Sequence, residues 1–417
     1  MTAPQREFDI VLYGATGFVG KLTAQYLATA GGQARIALAG RSPQKLLAVR
    51  ESLGAAAQAW PLIEADTASP STLDDMAARA RVVISTVGPY TKYGVPLVAA
   101  CAAAGTDYAD LTGETMFIRE SIDLFHKEAA DNGARIVHSC GFDSIPSDLT
   151  VYALYKRALA DGAGQLGETN FVLRGFAGGV SGGTAASMVE VMHTSSTDPE
   201  ARRAMNDPYT LTTDRGAEPE FGHQSDTPWR RGRDIAPELD GIWTGAFAMG
   251  APNARIVRRT NALLGWSYGR TFRYAENMSV GSSVVAPVAA ALGTAANAAV
   301  LGLGGRYFDK LPRGLVERVL PKPGTGPSER ARDNGHYRVE TYTTTSSGAR
   351  YRAIMAQQGD PGYKATSVLL GESGLALAFD RDTLSELRGV LTPAAALGDA
   401  LLARFPAAGV TMETERL

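Results

Sequence analysis

The sequence predicts an α/β protein: a Rossmann-type, doubly wound parallel sheet with a second α+β domain and a C-terminal helical return. Three observations lead to this prediction. Short apolar strand patterns alternate with helical patterns over the first 150 residues, a glycine-rich turn follows the first strand, and the pattern after Asp148 changes to one that includes an antiparallel hairpin. The predicted domains are residues 1–150, 151–360 and 361–417, and we expect the last to pack on the first.

The predicted first domain contains six strands and five helices. The strands are expected at 8–13, 34–39, 60–63, 82–87, 107–110 and 135–139, and the helices at 17–30, 43–52, 71–79, 96–104 and 116–132. The first strand is apolar on both of its faces, which is typical of a central strand buried between two layers of helices. Strand and helix alternation of this kind predicts parallel βαβ units.

Beyond Asp148 the pattern predicts an α+β domain. We expect helices at 149–159 and 183–194, a strand at 168–176, and a hairpin of 337–345 and 350–357 around Ser346-Ser347-Gly348, whereas 198–240 is polar and shows little periodicity. The tail predicts helices at 363–379 and 393–405. The second of these has Thr392 as N-cap and Pro393 at its first position.

Composition and charge narrow the class of protein further. The 41 Lys and Arg against 43 Asp and Glu give a net charge of −2, so no strong positive field draws the chain to nucleic acid. The two cysteines, Cys101 and Cys140, cannot build a disulfide framework or a zinc cage, which favours a reducing compartment and a cytoplasmic location. We expect no metal site, and no signal peptide because the first strand pattern begins within the first eight residues.

Residues 14–20 read GATGFVG, directly after the first strand and at the start of a helix. Gly14 permits a tight turn, Gly17 lets the backbone approach a diphosphate, and Gly20 lets helix and strand pack closely. The helix N-terminus favours negative charge. The predicted diphosphate-binding residues are therefore Gly14, Ala15, Thr16, Gly17, Phe18 and Val19. A glycine-rich turn without a ligand is the alternative.

The end of the second strand predicts which dinucleotide binds. An acidic residue about 20 positions after the glycines is typical of NAD, but Arg41 and Ser42 occupy this place. Because a guanidinium can bind a 2′-phosphate with two hydrogen bonds, we predict NADP(H). The alternative is a solvated Arg41 and a helix-capping Ser42. Asp66, after the third strand, is expected at the adenine, and Val87, Gly88 and Pro89, after the fourth, at the nicotinamide ribose.

Tyr90 and Asp143 are the candidate catalytic residues, because both follow parallel strands whose carboxyl ends meet at one edge of the sheet. The alternatives are that Tyr90 packs beneath the cofactor and that Asp143 forms an Asx turn. We interpret Ser147 or Asp148 as a helix N-cap. A rival pattern is Tyr152 and Lys156, one helical turn apart, with Ser139 upstream, as in the Ser–Tyr–Lys set of short-chain dehydrogenases.

Asn277–Gly305 contains 29 residues without a charge, more than the roughly 20 that a membrane-spanning helix needs. The segment is rich in Ala, Gly and Ser and contains Pro287, so its hydrophobicity is marginal. We expect it to lie against an acyl-binding channel or a membrane surface, with peripheral contact at the inner face of the plasma membrane. A buried helix and a spanning helix are the alternatives.

Several motifs together resemble one known family. These are GATGFVG, AGRS, TVGPYTKYG, YADLTGE, CGFDSIPSDL, GDPGYKATSVLLGESGLAL and LTPAAALGDALLARF, which cover the whole chain. The chain resembles the saccharopine dehydrogenase-like family, and within it the mycobacterial branch of trans-acting enoyl reductases. The resemblance implies an NADPH-dependent reduction of an enoyl group on an acyl chain carried by a polyketide synthase, in phthiocerol-type cell-wall lipid biosynthesis. It implies no proton donor.

The carrier protein that would hold such an acyl chain suggests one further site, a docking surface. Between Gly241 and Ala275 there are five arginines and no acidic residue, and carrier proteins are anionic. We predict that Arg255, Arg258 and Arg259 help to dock the carrier-bound substrate, with a solvated face as the alternative. Two other functions stay open: reduction of saccharopine or of a small carbonyl metabolite, and non-catalytic sensing of NADP(H).

Overall fold

The structure, a computed structural model, describes residues 6–178, 189, 191, 193–194, 196–219, 221, 224–299 and 326–417. Its first sheet has seven parallel strands in the order β13-β6-β5-β4-β1-β2-β3. These strands are β1 (Phe8–Tyr13), β2 (Ile36–Gly40), β3 (Leu62–Glu64), β4 (Ala80–Ser85), β5 (Asp107–Asp110), β6 (Arg135–Val137) and β13 (Gly389–Leu391). The doubly wound parallel sheet predicted from the sequence is confirmed.

Helices cover both faces of this sheet. They include α1 (Phe18–Ala30), α2 (Pro43–Ser52), α3 (Pro70–Arg79), α4 (Tyr90–Tyr93), α5 (Val95–Ala104) and α6 (Thr115–Asp131). Along β1, Ile10 and Leu12 pack into one hydrophobic core and Val11 and Tyr13 into the other. Because successive side chains of a strand point to opposite faces, both faces of the central strand are buried, as its sequence predicts.

The second sheet is mixed and also has seven strands, in the order β14-β12-β11-β7-β10-β9-β8. They are β7 (Leu166–Ala177), β8 (Arg230–Arg231), β9 (Trp243–Ala246), β10 (Arg273–Gly281), β11 (His336–Thr345), β12 (Arg350–Gln358) and β14 (Val410–Arg416). Only the β7–β10 pair is parallel. The predicted hairpin is confirmed by β11 and β12, in which Thr344 lies opposite Arg350.

The remaining helices of eight or more residues are α7 (Ile145–Ala160), α8 (Pro199–Asn206), α10 (Gly250–Leu263), α11 (Ala286–Ala299), α13 (Thr366–Phe379) and α14 (Pro393–Arg404). Two shorter ones are α9 (Gly232–Ile235) and α12 (Glu329–Asn334). Most of the helix predicted at 183–194 lies outside the described residues. The polar stretch 198–240 contains α8, α9 and β8, which its weak periodicity does not reveal.

The C-terminal segment contributes to both sheets. Helix α13 packs so closely on the first domain that a Cβ at Gly371 would lie 2.5 Å from Tyr26 Cδ1, and one at Gly374 would lie 2.3 Å from Ile84 Cδ1. Strand β13 then joins the first sheet and β14 joins the second. The predicted helices of the tail are confirmed. Its two strands are missing from the sequence prediction, and β13, with three residues, is too short to show a periodicity.

The uncharged segment begins at the end of β10 and continues into α11, while its last six residues lie outside the described part. In α11 and just before it, Val285, Val288 and Leu292 are 67%, 60% and 66% exposed, whereas Ala286 and Ala290 are buried. The alternative of a buried helix is therefore wrong for the described residues. Among these residues, no helix is long and apolar enough to cross a bilayer.

Candidate active site at the carboxyl edge of the parallel sheet

The glycine-rich loop between β1 and α1 packs so tightly that two of its glycines have no room for a side chain. Gly14 has a φ of +86°, and a Cβ there would lie 2.6 Å from Val87 Cγ2. A Cβ at Gly20 would lie 2.2 Å from the Gly14 carbonyl oxygen. Thr86 secures the turn, since its hydroxyl donates to that same carbonyl at 3.1 Å. The loop therefore brings the first turn of α1 directly against the end of β4.

The start of α1 is well suited to an anion. Gly17 is its N-cap, and no side chain of the loop caps the helix or adds a negative charge to its first turn. Unpaired backbone N–H groups and the helix dipole together attract phosphate. A tight turn with no room for a Cβ at Gly14 or Gly20, followed by a helix N-terminus with free donors, fits the diphosphate of NADP(H). That the six predicted loop residues, 14–19, bind it stays a prediction.

The side chains of Tyr13, Arg41 and Asp66 gather where β1, β2 and β3 end. Arg41 is exposed, and among the described residues no carboxylate forms an ion pair with it. Burial raises the pKa of Tyr13, the charge of Asp66 raises it further, and the charge of Arg41 lowers it, so these three groups lie near one another. Ser42 caps α2, accepting from the Lys45 amide at 3.4 Å. The Arg41 guanidinium is thus available to bind a phosphate, whereas the Ser42 side chain already caps α2.

Tyr90 lies at the start of α4, just after Val87, Gly88 and Pro89. Its ring is 3% exposed and packs on Phe117, with centroids 5.7 Å apart. The hydroxyl donates to the Ser85 carbonyl at 3.1 Å, and burial raises the pKa of Tyr90 well above its usual value. The Tyr90 hydroxyl therefore already donates its proton to a hydrogen bond and does not ionise readily. The placement favours the packing alternative, although the catalytic prediction for Tyr90 is not otherwise tested.

Glu114 has a role that the sequence pattern does not predict. Its buried carboxylate accepts hydrogen bonds from the backbone amides of Tyr90 and Thr91, at 2.9 and 2.7 Å, and from the Thr91 hydroxyl at 2.6 Å. Glu114 thereby holds the N-terminus of α4 and fixes the loop that precedes it. An acidic residue at the end of a loop on the carboxyl edge is the only signal the sequence carries for this role.

Asp110, the last residue of β5, organises the same edge. Its carboxylate accepts from the Thr112 and Ser139 amides, each at 3.1 Å, and from the Tyr108 hydroxyl at 2.9 Å. His138 Nδ1 lies 2.8 Å from it. Ser139 has a φ of +65°, a left-handed conformation that costs a non-glycine residue about 1–3 kcal/mol. Its amide bond to Asp110 holds the chain in this conformation.

Asp143 lies in the loop that runs from β6 into α7. It is partly buried, and among the described residues its carboxyl has no hydrogen-bond partner. Burial raises the pKa of Asp143 to about 6. A carboxyl group that has no hydrogen-bond partner in the described part of the chain and a pKa near neutral pH can give or take a proton at this edge. Its assignment as catalytic stays a prediction, and nothing in its contacts shows the alternative Asx turn.

The N-cap prediction for this loop is wrong, because α7 begins earlier than expected. Ser144 is the N-cap position, and Ser147 and Asp148 lie inside the first turn. Both are fully buried and bind other elements: Asp148 accepts from the Ala394 amide at 2.8 Å, and Ser147 accepts from the Asn253 amide group at 3.1 Å. Pro146 at the first turn allows this early start, which the sequence pattern assigned to the loop.

A buried polar network connects the Asp143 loop to the second sheet. Asn253 of α10 donates to Glu276 Oε2 at 3.0 Å and accepts from the Ser144 hydroxyl at 2.9 Å. Tyr274 donates to Glu276 Oε1 at 2.8 Å. Burial raises the pKa of Glu276 to about 8. These contacts fix the base of the Asp143 loop against β10.

The predicted docking role of the three arginines is wrong. Arg255, Arg258 and Arg259 are only 5%, 3% and 1% exposed. Asp226 pairs with the first two, at 3.2 and 2.6 Å, and Arg259 donates to the Val390 carbonyl at 2.6 Å. The three guanidinium groups bind α10 to the surrounding chain, and because they are buried they cannot contact a carrier protein. Asp226 lies outside the charge window that suggested the patch, which explains the error.

The rival Ser–Tyr–Lys pattern finds no support in the contacts of its members. Lys156 pairs with Asp399 at 2.8 Å, and the same carboxylate interacts with Tyr152. The Ser139 hydroxyl donates instead to the Thr112 carbonyl at 2.7 Å. Tyr152 and Lys156 thus face α14, while Ser139 secures the carboxyl edge.

This fold and this edge define a class: an oxidoreductase with an NADP-binding Rossmann domain. Residues 10–137 match the saccharopine dehydrogenase NADP binding domain. The chain is similar to the trans-acting enoyl reductases of Mycobacterium tuberculosis H37Rv and Mycobacterium ulcerans Agy99, with 65% and 64% identity over 418 residues and full coverage of both partners. A second M. tuberculosis protein, provisionally named a trans-acting enoyl reductase, is 70% identical over 417 residues, again with full coverage.

The chain therefore belongs to the trans-acting enoyl reductase family of saccharopine dehydrogenase-like proteins. Among solved structures it is similar to yeast saccharopine dehydrogenase (L-Glu forming), with a TM-score of 0.53 and 15% identity over 98% of this chain and 99% of the other. That likeness concerns the fold alone. The family resemblance seen in the motifs is confirmed.

Replacing Glu114 tests its hold on α4. Glu114→Ala leaves the buried Tyr90 amide and the Thr91 amide without their acceptor, so we expect the free energy of unfolding to fall by about 1–3 kcal/mol and NADPH to bind more weakly. Urea titration and NADPH titration measure the two effects. Glu120→Ala, which removes an exposed carboxylate from α6, the helix that follows Glu114, is the matched control. If both variants behave alike, Glu114 does not hold the loop.

Proposed function

We propose that the protein is an NADPH-dependent enoyl reductase that acts in trans on an acyl chain carried by a polyketide synthase, in the synthesis of phthiocerol-type lipids. The observation that carries the proposal is the 64–70% identity, over the whole chain, to relatives named trans-acting enoyl reductases. Two observations support the cofactor: no side chain caps the N-terminus of α1, and Arg41 has no ion-pair partner among the described residues.

The residues at the carboxyl edge would have the following roles in binding and catalysis. The loop 14–19 binds the diphosphate, Arg41 binds the 2′-phosphate, and Asp66 lies at the adenine. Residues 87–89, held in place by Glu114 through α4, form the wall beside the nicotinamide. NADPH, when bound, supplies a hydride for the β-carbon of an enoyl thioester. Asp143 holds the proton that the α-carbon needs.

Purified protein, NADPH and three substrates test the reaction. The substrates are an α,β-unsaturated acyl thioester on a carrier protein, a β-ketoacyl thioester and saccharopine. We expect NADPH oxidation, followed by its absorbance, with the enoyl thioester alone. Oxidation with saccharopine or the ketone, and none with the enoyl thioester, would make this a different reductase. NADPH binding without oxidation of any substrate would favour the non-catalytic sensor.

The pKa of Asp143 predicts a pH dependence. The protonated carboxyl predominates below about pH 6 and is lost as the pH rises through that value, so kcat/KM should fall on the alkaline side. Asp143→Asn should lower kcat by roughly 100- to 10,000-fold with NADPH affinity unchanged, while Tyr90→Phe keeps the wild-type profile. Full turnover by Asp143→Asn would assign the proton to another group or to water.

Arg41 should determine the choice between the two dinucleotides. A charge-assisted bond to a phosphate contributes about 1.5–3 kcal/mol, so Arg41→Ala should weaken NADPH binding roughly 10- to 150-fold and leave NADH binding unchanged. Arg41→Asp should reverse the preference, because aspartate repels the phosphate and accepts from a free ribose hydroxyl. Dissociation constants for both cofactors measure this, with Lys45→Ala, exposed on α2, as the control. An Arg41→Asp variant that still prefers NADPH would contradict the assignment.

We propose that the protein works in the cytoplasm and touches the inner membrane surface or the acyl chain through the exposed apolar side chains Val285, Val288 and Leu292 of the α11 region. Co-sedimentation with anionic vesicles tests the first contact. Binding should weaken severalfold in a Val288→Asp, Leu292→Asp variant and persist in Leu159→Asp, an exposed leucine on α7. Equal binding by both variants would remove α11 from the membrane contact.

A further inference from the structure

Phe18, which follows Gly17 and begins α1, is covered by a segment from much further along the chain. Gly326 lies so close that a Cβ there would be 2.4 Å from Phe18 Cζ. The Tyr363 ring meets Phe18 edge-on, with centroids 4.8 Å apart. The guanidinium carbon of Arg332, on α12, lies 5.3 Å from the centre of the Phe18 ring. A cation is thus placed beside the first turn of α1.

The segment that carries Arg332 is firmly attached. The Arg332 carbonyl accepts from the Asp360 amide at 2.8 Å, and Lys364 pairs with the neighbouring Asp333 at 2.6 Å. The Arg332 side chain itself donates to the Pro327 carbonyl at 2.7 Å. α12 is therefore tied to the connection between β12 and α13, so its position relative to the glycine loop is built into the fold.

No carboxylate of the described part of the chain forms an ion pair with Arg332. Asp360 is close enough to interact, since burial raises its pKa and the charge of Arg332 opposes the rise, but it lies beyond ion-pair distance. Arg332 is thus a half-buried guanidinium with no ion-pair partner in the described part of the chain. It lies next to a helix N-terminus that itself attracts anions, so an anion between the two would interact favourably with both.

We propose that Arg332 binds the diphosphate of NADP(H) from above the glycine loop, so that the segment 326–334 closes over the cofactor and Phe18 orients the guanidinium. This deepens the proposed function, because it rests on NADP(H) occupying the loop, but it does not depend on which substrate is reduced. The cofactor would then be held between the first domain and the segment 326–334, which lies far from the glycine loop in the sequence.

Binding of two ligands separates this role from that of Arg41. We expect Arg332→Ala and Arg332→Gln each to weaken NADPH binding about 10- to 100-fold, and to leave the binding of 2′-AMP, which carries the 2′-phosphate but no diphosphate, unchanged. Arg41→Ala should weaken both ligands. Arg330→Ala, on the exposed side of α12, is the matched control and should bind both as the wild type does. Titrations of intrinsic fluorescence give the dissociation constants.

Each other outcome has a definite meaning. If Arg332→Gln, which keeps a donor for Pro327, binds NADPH as tightly as the wild type, Arg332 only supports its own segment and the proposal is overturned. If Arg332→Ala weakens 2′-AMP and NADPH equally, the guanidinium does not act on the diphosphate. If the wild type binds neither ligand, the cofactor assignment itself is wrong, which is a different failure.

Discussion

The buried carboxylate of Asp110 is the interaction on which the candidate site depends. It binds the backbone of the turns after β5 and β6 and so fixes where Thr112 and Ser139 lie. Thr112 in turn accepts from the Glu114 amide at 3.1 Å, and Glu114 holds α4. Three loops of the carboxyl edge are therefore linked through one residue at the end of a strand, which explains how polar loops keep a defined shape beside a cofactor.

The second sheet stabilises this edge from the other side. Phe142 packs on Tyr337 of β11, with centroids 4.7 Å apart, and its amide donates to the Thr366 hydroxyl of α13 at 2.9 Å. The network through Asn253 and Glu276 adds a polar connection to β10. Because the loop that carries Asp143 lies between both sheets, its carboxyl is taken partly out of water, and this burial is what raises its pKa.

Much of the fold could be predicted because its signals are local. The glycines of 14–20 and the two-sided apolar pattern of β1 specify a turn and a buried strand without any distant contact. The roles of Glu114, Asp226 and Asp110 could not be predicted, since each depends on a backbone amide or a guanidinium distant in the chain. The same reason explains the error at Arg255, where a run of like charges hides a counter-ion some 30 residues upstream. Contacts between elements that are distant in the sequence, not local patterns, decide such cases.

The central claim is hydride transfer from NADPH to an enoyl carbon, and isotope transfer tests it most directly. The protein is incubated with a carrier-bound enoyl thioester and with NADPH that carries deuterium at C4 of the nicotinamide, each C4 position in turn, and the acyl product is analysed by mass spectrometry. The account predicts one deuterium at the β-carbon from one of the two labelled cofactors and none at the α-carbon. A reduced product without deuterium from either, or no reduced product, would contradict it.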